Sequence, residues 1–230
     1  MTGEASFWVP FLFSYVRSDG VRKPKKVQLI ISALKQHYPD AHCALHYSNP
    51  FELMVATILS AQCTDVRVNL VTAGLFKKYT GPENFAQADL LDLEQDIRPT
   101  GFFRNKALSI QQASQQILSE HGGEVPNDLA KLVALRGVGR KTANVVMGNA
   151  FGKADGVVVD THVSRLSQRL GLTQATQPEK IEQDLMALIP EADWVLFPHL
   201  MISHGRALCK ARVPQCERCF LAALCPAAHV

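Results

Sequence analysis

The sequence predicts an all-α protein. Apolar residues recur every three or four positions through nearly every segment. Glycine or proline interrupts that pattern at intervals, at Gly81-Pro82, Gly101, Gly122-Gly123, Gly137-Val138-Gly139 and Gly171. The one strand-like run, residues 157–159 (VVV), is short, and a lone strand cannot stand by itself.

In chain order, KVQLIISALKQHY (26–38) carries the first helical stripe. Asn49 and Pro50 open the second helix, the one as cap and the other as first residue, ahead of FELMVATILSA. The same spacing predicts helices over 65–79, 86–97, 102–120, 127–135, 141–150, 161–170, 178–188 and 194–207. Small and polar residues in GKADG (152–156) mark a seam between two helical runs.

At 230 residues the chain can bury a proper core, as one large domain or two small ones. An apolar share of 47% excludes global disorder. The net charge of +3 is compatible with a nucleic-acid partner, and only a local patch would argue for one. No run is long enough to span a bilayer. The apolar stretch FWVPFLFSYV (7–16) lacks a preceding basic region and contains Pro10, so it reads as an extension and not as a signal peptide. A cytoplasmic protein is expected, nucleoid-associated if bacterial. Its six cysteines are then ligands, nucleophiles or buried apolar groups. Cys43 and Cys63 lie inside helical patterns and read as small apolar residues of the core.

The tail CKARVPQCERCFLAALC places Cys209, Cys216, Cys219 and Cys225 with six, two and five residues between them. Four thiols so close together can wrap one metal centre. Structural zinc usually pairs two short cysteine knuckles, and this tail has one. Iron–sulfur clusters take four thiolates at more varied spacing, so both remain open on spacing.

The stretch LRGVGRKTANVV (135–146) puts Gly137 and Gly139 at a break between helices. Both glycines allow positive φ and the close approach of a partner's backbone. The next helix starts near Arg140 with free amides and a positive dipole end, which together make an anion site suited to a DNA phosphate. An ordinary glycine-stopped corner has the same spacing.

LRGVGRKTANVV resembles the helix–hairpin–helix motif of the endonuclease III family of DNA glycosylases. VVVDTHVSRL (157–166) resembles the stretch with that family's catalytic aspartate, and the six–two–five cysteine spacing is the family's iron–sulfur pattern. NPFELMVATILSAQCTD (49–65), TGFFRNKA (100–107) and GEVPNDLAKL (123–132) are similar too, and the match runs in order from about residue 26 to Cys225.

The resemblance implies two helical domains with a DNA-binding cleft between them. Residues 43–153 would form a six-helix barrel with the hairpin. Residues 154–230 would form the cluster domain around a [4Fe-4S] centre held by the four tail cysteines, with residues 1–42 giving an extension and a helix packed on it. The partner would be double-stranded DNA containing a damaged base or abasic site, and the protein would act as a monomer away from any membrane. The activity implied is excision of oxidised pyrimidines followed by β-elimination.

Carried over residue by residue, the resemblance implies that Lys141 would be the nucleophile. An amine that displaces the base at C1′ becomes a Schiff base, an electron sink for elimination. A free lysine is neutral in only about one molecule in 2,500 at pH 7. Burial in the cleft and the helix start would both favour the neutral form. Asp160 would stabilise the cationic sugar or relay protons, and it can equally cap the helix that follows. Gln62 and Phe102 are the candidates to fill the gap left by an extruded nucleotide, although Phe102 can also be core. Lys210 and Arg212, in the cysteine loop, would meet phosphates together with Arg140 and the hairpin glycines.

Two positions depart from the family. Arg136 stands where proline is usual in the hairpin, adding a backbone donor and a cation. Phe102 stands where an aliphatic residue is common. Two other readings compete: a monofunctional mismatch adenine glycosylase, against which Lys141 argues, and a non-catalytic DNA-damage-binding module.

Overall fold

The computed structural model describes residues 23–229; the apolar stretch at 7–16 lies outside them. Among the described residues there are eleven α-helices and no strand. They are α1 (Lys23–His37), α2 (Pro50–Ser60), α3 (Asp65–Lys78), α4 (Pro82–Gln87), α5 (Leu90–Ile97), α6 (Phe103–His121), α7 (Leu129–Ala134), α8 (Arg140–Phe151), α9 (Thr161–Arg169), α10 (Pro178–Met186) and α11 (Leu196–Ala207). The valine run 157–159 forms no strand, and Val157 is buried in the core.

Local chemistry sets the ends of these helices. Asn49 accepts from the Glu52 amide at 2.9 Å, with Pro50 in the first turn behind it. The single helix expected over 86–97 is in fact two. Asp89 breaks it, its Oδ1 accepting from the Leu91 and Asp92 amides and so starting α5 afresh.

The helices pack around two hydrophobic cores. One collects residues from Leu45 to Met147, with Leu53, Leu59, Phe85, Ile97, Ile110 and Leu132 fully buried at its centre. In it α4 and α5 pack on α6, and α2 and α7 pack on α8. The other joins α1, through Val27, Ile30 and Leu34, to residues from Val157 to Leu221. There α1 and α9 both pack on α11, and Lys26 Nζ donates to the Leu170 carbonyl at 2.8 Å. The segment between α8 and α9 passes from one core to the other.

Candidate DNA-processing site

The hairpin between α7 and α8 is held from behind by α6. Gly137 has φ +76°, and a β-carbon there would sit 2.5 Å from Ser109 Cβ, so both the backbone and the packing demand glycine. Gly139 differs from expectation. Its φ is −80°, ordinary extended backbone, and the space where its side chain would be is open. Its value is that open space: it caps α8 with no side chain accepting from the first amides. Arg136 is accommodated because its backbone N–H, which proline would lack, donates to Gln116 Oε1 at 2.8 Å.

Arg140 does not stand free for a phosphate. Its Nε and one terminal nitrogen reach the two oxygens of Glu182 on α10, at 3.2 and 3.1 Å. Glu182 also accepts from Asn144 Nδ2 at 3.2 Å, one turn further along α8. Glu182 is nearly buried, with 11% of its side chain exposed. It lies over Gly156, where any β-carbon would collide with it. This pair raises the Arg140 guanidinium further above its ordinary range.

Lys141 follows in the first turn of α8. It is exposed, and it makes no hydrogen bond or ion pair among the described residues. Burial by the protein, expected from the sequence, is not what the fold provides. Nor is Asp160 in ion-pair contact with it. Asp160 caps α9, its Oδ1 accepting from the His162 and Val163 amides at 2.9 and 2.8 Å. Its other oxygen meets His162 Nδ1 at 3.1 Å. Capping therefore holds the carboxylate still and keeps it at the positive end of a helix. His162 had no role legible in the sequence. It lies against Gly205 of α11, where a β-carbon would come within 2.8 Å of its ring.

Between the linker that precedes α2 and the face of α11 lies a cavity of about 520 Å³, lined by His42, Cys43, Tyr47, Asn149 and His199 among others. His199 pairs with Asn149 Oδ1 at 2.8 Å. Burial pushes its imidazole below the usual histidine range, with His42 adding to this and Asp160 and Asp65 opposing it. Arg206 of α11 pairs with Asp65 of α3 at 2.6 Å. Burial also pushes the Cys43 thiol up; it and Cys63 are only partly buried against the first core.

Gln62 and Phe102 are both at the surface, on the loops after α2 and before α6. Phe102 is 63% exposed, so it is not core. Lys210 and Arg212 are exposed on the tail loop. That loop is tied to α9 by Arg169, which donates to the Lys210 and Ala211 carbonyls at 2.9 and 2.8 Å.

The four tail thiols ring one cavity, walled by Leu166, Leu170, Leu208 and Leu221. Among the described residues, no three His, Cys, Asp or Glu side chains converge as they would on a single ion. Four thiols around one largely apolar space, with His204 Nε2 3.5 Å from Cys219 Sγ, form a donor set that suits a thiolate-held cluster. Arg169 donates to Cys209 Sγ at 3.2 Å, a contact that supports a thiolate.

Comparison with known proteins places the chain in a family. The family model described as HhH-GPD superfamily base excision DNA repair protein matches residues 55–191. The fold and the hairpin thus define a helix–hairpin–helix DNA glycosylase of base excision repair. Endonuclease III of Synechocystis sp. is 53% identical over 216 residues, covering 94% of this chain and 98% of that one. Endonuclease III of Escherichia coli K12 is 38% identical, covering 89% of this chain and 96% of that one. A solved structure of a trapped endonuclease III–DNA covalent intermediate superposes with a TM-score of 0.85 at 45% identity, over 90% of this chain and 97% of that one. The chain belongs to the endonuclease III family, whose enzymes are DNA glycosylases and AP lyases. No helix of the described residues is long and apolar enough to cross a membrane.

Proposed function

We propose that this DNA glycosylase and AP lyase removes oxidised pyrimidines from duplex DNA, with Lys141 as nucleophile and Asp160 stabilising the cationic sugar. The observation that carries the reading is the setting of Lys141: an exposed, unpaired amine in the first turn of α8, directly behind a hairpin whose helix start has no side-chain cap. A phosphate bound at those amides brings a deoxyribose to the amine. The Lys141 nitrogen forms a bond to C1′ as the glycosidic bond breaks, and the departing base takes the electron pair and a proton. Ring opening gives the Schiff base. Loss of a C2′ proton then expels the 3′ phosphate. Because Lys141 is exposed in the free protein, the DNA itself must exclude water from the amine. Asp160, fixed as a cap, stabilises positive charge on the sugar and can pass protons.

We divide the chain into a domain of residues 43–153 and one of 1–42 with 154–230; the two hydrophobic cores, one from Leu45 to Met147 and one from α1 and Val157 to Leu221, support the division, and the cleft between the domains would receive the flipped nucleotide. Cys209, Cys216, Cys219 and Cys225 would hold a [4Fe-4S] cluster, which supplies a covalent brace for the loop bearing Lys210 and Arg212. Arg140 contributes through Glu182 more than through phosphate. We read the enzyme as a cytoplasmic monomer.

Borohydride trapping on duplex DNA with one oxidised pyrimidine tests the assignment. Wild type leaves a covalent adduct and Lys141→Gln leaves none; an adduct that persists in the variant refutes it. Iron content and visible absorbance of the purified protein test the cluster, and a colourless zinc protein would refute that part.

A further inference from the structure

Gln62 and Phe102 belong to separate loops but share a backbone peculiarity. They are the two non-glycine residues with positive φ among the described residues, at 53° and 48°. An L-residue disfavours that region, and it stays there only where the surroundings hold it. Neither has its side chain buried to do so.

What holds both lies underneath. Lys106, in the first turn of α6, is only 5% exposed. Its Nζ donates to the Leu59 carbonyl at 2.8 Å and to the Thr100 carbonyl at 2.9 Å. Leu59 is in the last turn of α2, just before the Gln62 loop, and Thr100 ends the short 3₁₀ turn just before Phe102. Carbonyls at such ends have no helical partner of their own. A buried ammonium is costly unless its donors are met, and here two backbone oxygens meet two of the three, with no carboxylate in ion-pair contact among the described residues. A side chain that served only to fill the core would be apolar. This one joins the roots of two loops whose exposed tips are both left-handed.

We propose that Lys106 is a positioning residue for base extrusion: one ammonium, shared by the Leu59 and Thr100 carbonyls, sets Gln62 and Phe102 as a single rigid wedge. This rests on the reading of Gln62 and Phe102 as the residues that fill the gap behind an extruded nucleotide. Without the lysine the two loops relax independently, and the free energy of ordering them falls on the DNA complex. The chemistry at Lys141 is untouched. The defect therefore belongs to substrates that must be unstacked.

The test compares a fully paired duplex carrying an oxidised pyrimidine with the same lesion in an unpaired bubble. Lys106→Met lowers excision from the paired duplex tenfold or more and changes the bubble less than twofold. An equal loss on both substrates, or no loss on either, overturns the proposal. Lys106→Arg keeps a cation with donors and shows a smaller loss of the same kind; it carries the comparison should the methionine variant melt too low to assay, and an equal loss on both substrates then overturns the proposal. Phe102→Ala and Gln62→Ala test the underlying reading alone: both should lose paired activity, and wild-type rates on the paired duplex would remove the wedge reading whatever Lys106 does. In the Gln62→Ala/Phe102→Ala double variant, adding Lys106→Met should cost less than a further twofold; losses that simply multiply would place Lys106 in another role and overturn the proposal.

Discussion

Arg140 and Glu182, 42 residues apart in the chain, meet as fork and carboxylate across the junction of α8 and α10. The first turn of the hairpin helix, which contains Lys141, is thereby fastened to the second core, and Gly156 of the crossing segment is trapped beneath the same carboxylate. Glu182→Gln should lower unfolding stability by about 1–2 kcal/mol, because Arg140 is half exposed and a pair of that kind is worth less than a fully buried one. It should also free Arg140. The slope of log affinity for undamaged duplex against log salt would then steepen by about 0.9, the contribution of one added phosphate contact. Urea unfolding and a salt titration check the two effects. An unchanged slope would mean that Arg140 already reaches DNA.

Asp160 has two functions that one substitution separates. Asparagine caps helices as well as aspartate does, so Asp160→Asn should change stability by under about 0.5 kcal/mol. The charge is lost, and turnover should fall about a hundredfold or more while DNA affinity stays near wild type. Asp160→Ala loses the cap as well and should cost a further ~1 kcal/mol in stability. Single-turnover excision with parallel melting curves distinguishes them.

The two hairpin glycines should respond differently. At Gly137, alanine meets both a left-handed backbone and the Ser109 side chain, and should cost about 2 kcal/mol or more. Ser109→Gly in the same chain should restore only the steric part. At Gly139, alanine fits the observed φ of −80° and the open space, so stability should hold. A fall in DNA affinity without a fall in melting temperature would then report the close approach of a phosphate.

His199 should leave a signature in the pH dependence of stability. Burial lowers its folded pKa, so between the unfolded value, about 6.5, and the lower folded value the unfolded chain binds more protons. Its contribution is complete above about pH 6.5 and is lost as pH falls through that window. Urea midpoints at pH 7.5 and pH 5.0 should therefore differ less in His199→Gln than in wild type. An equal difference would show that other groups carry the slope.

Features built from neighbours in sequence were legible without a structure. The Asn49 cap, the cysteine spacing, the Gly137 turn and the position of Lys141 in its motif all depend on residues a few positions apart. Features that depend on distant partners were not. Nothing near Arg140 in sequence announces Glu182, and nothing near Lys106 announces the carbonyls of Leu59 and Thr100. The break at Asp89 was missed because an apolar stripe runs on through it, while the side chain that stops the helix bonds only to its own next turn. Burial of Lys141 is expected from its proposed chemistry, yet no surface of the described residues supplies it.

The helix α1 completes a core whose other members begin at Val157. During synthesis it emerges before the rest of that core and waits with Val27, Ile30 and Leu34 uncovered while the residues of the other core, from Leu45 to Met147, emerge. The core that joins α1 to the residues from Val157 onward is thus the last to close, and products truncated before it would expose that apolar stripe to chaperones and proteases.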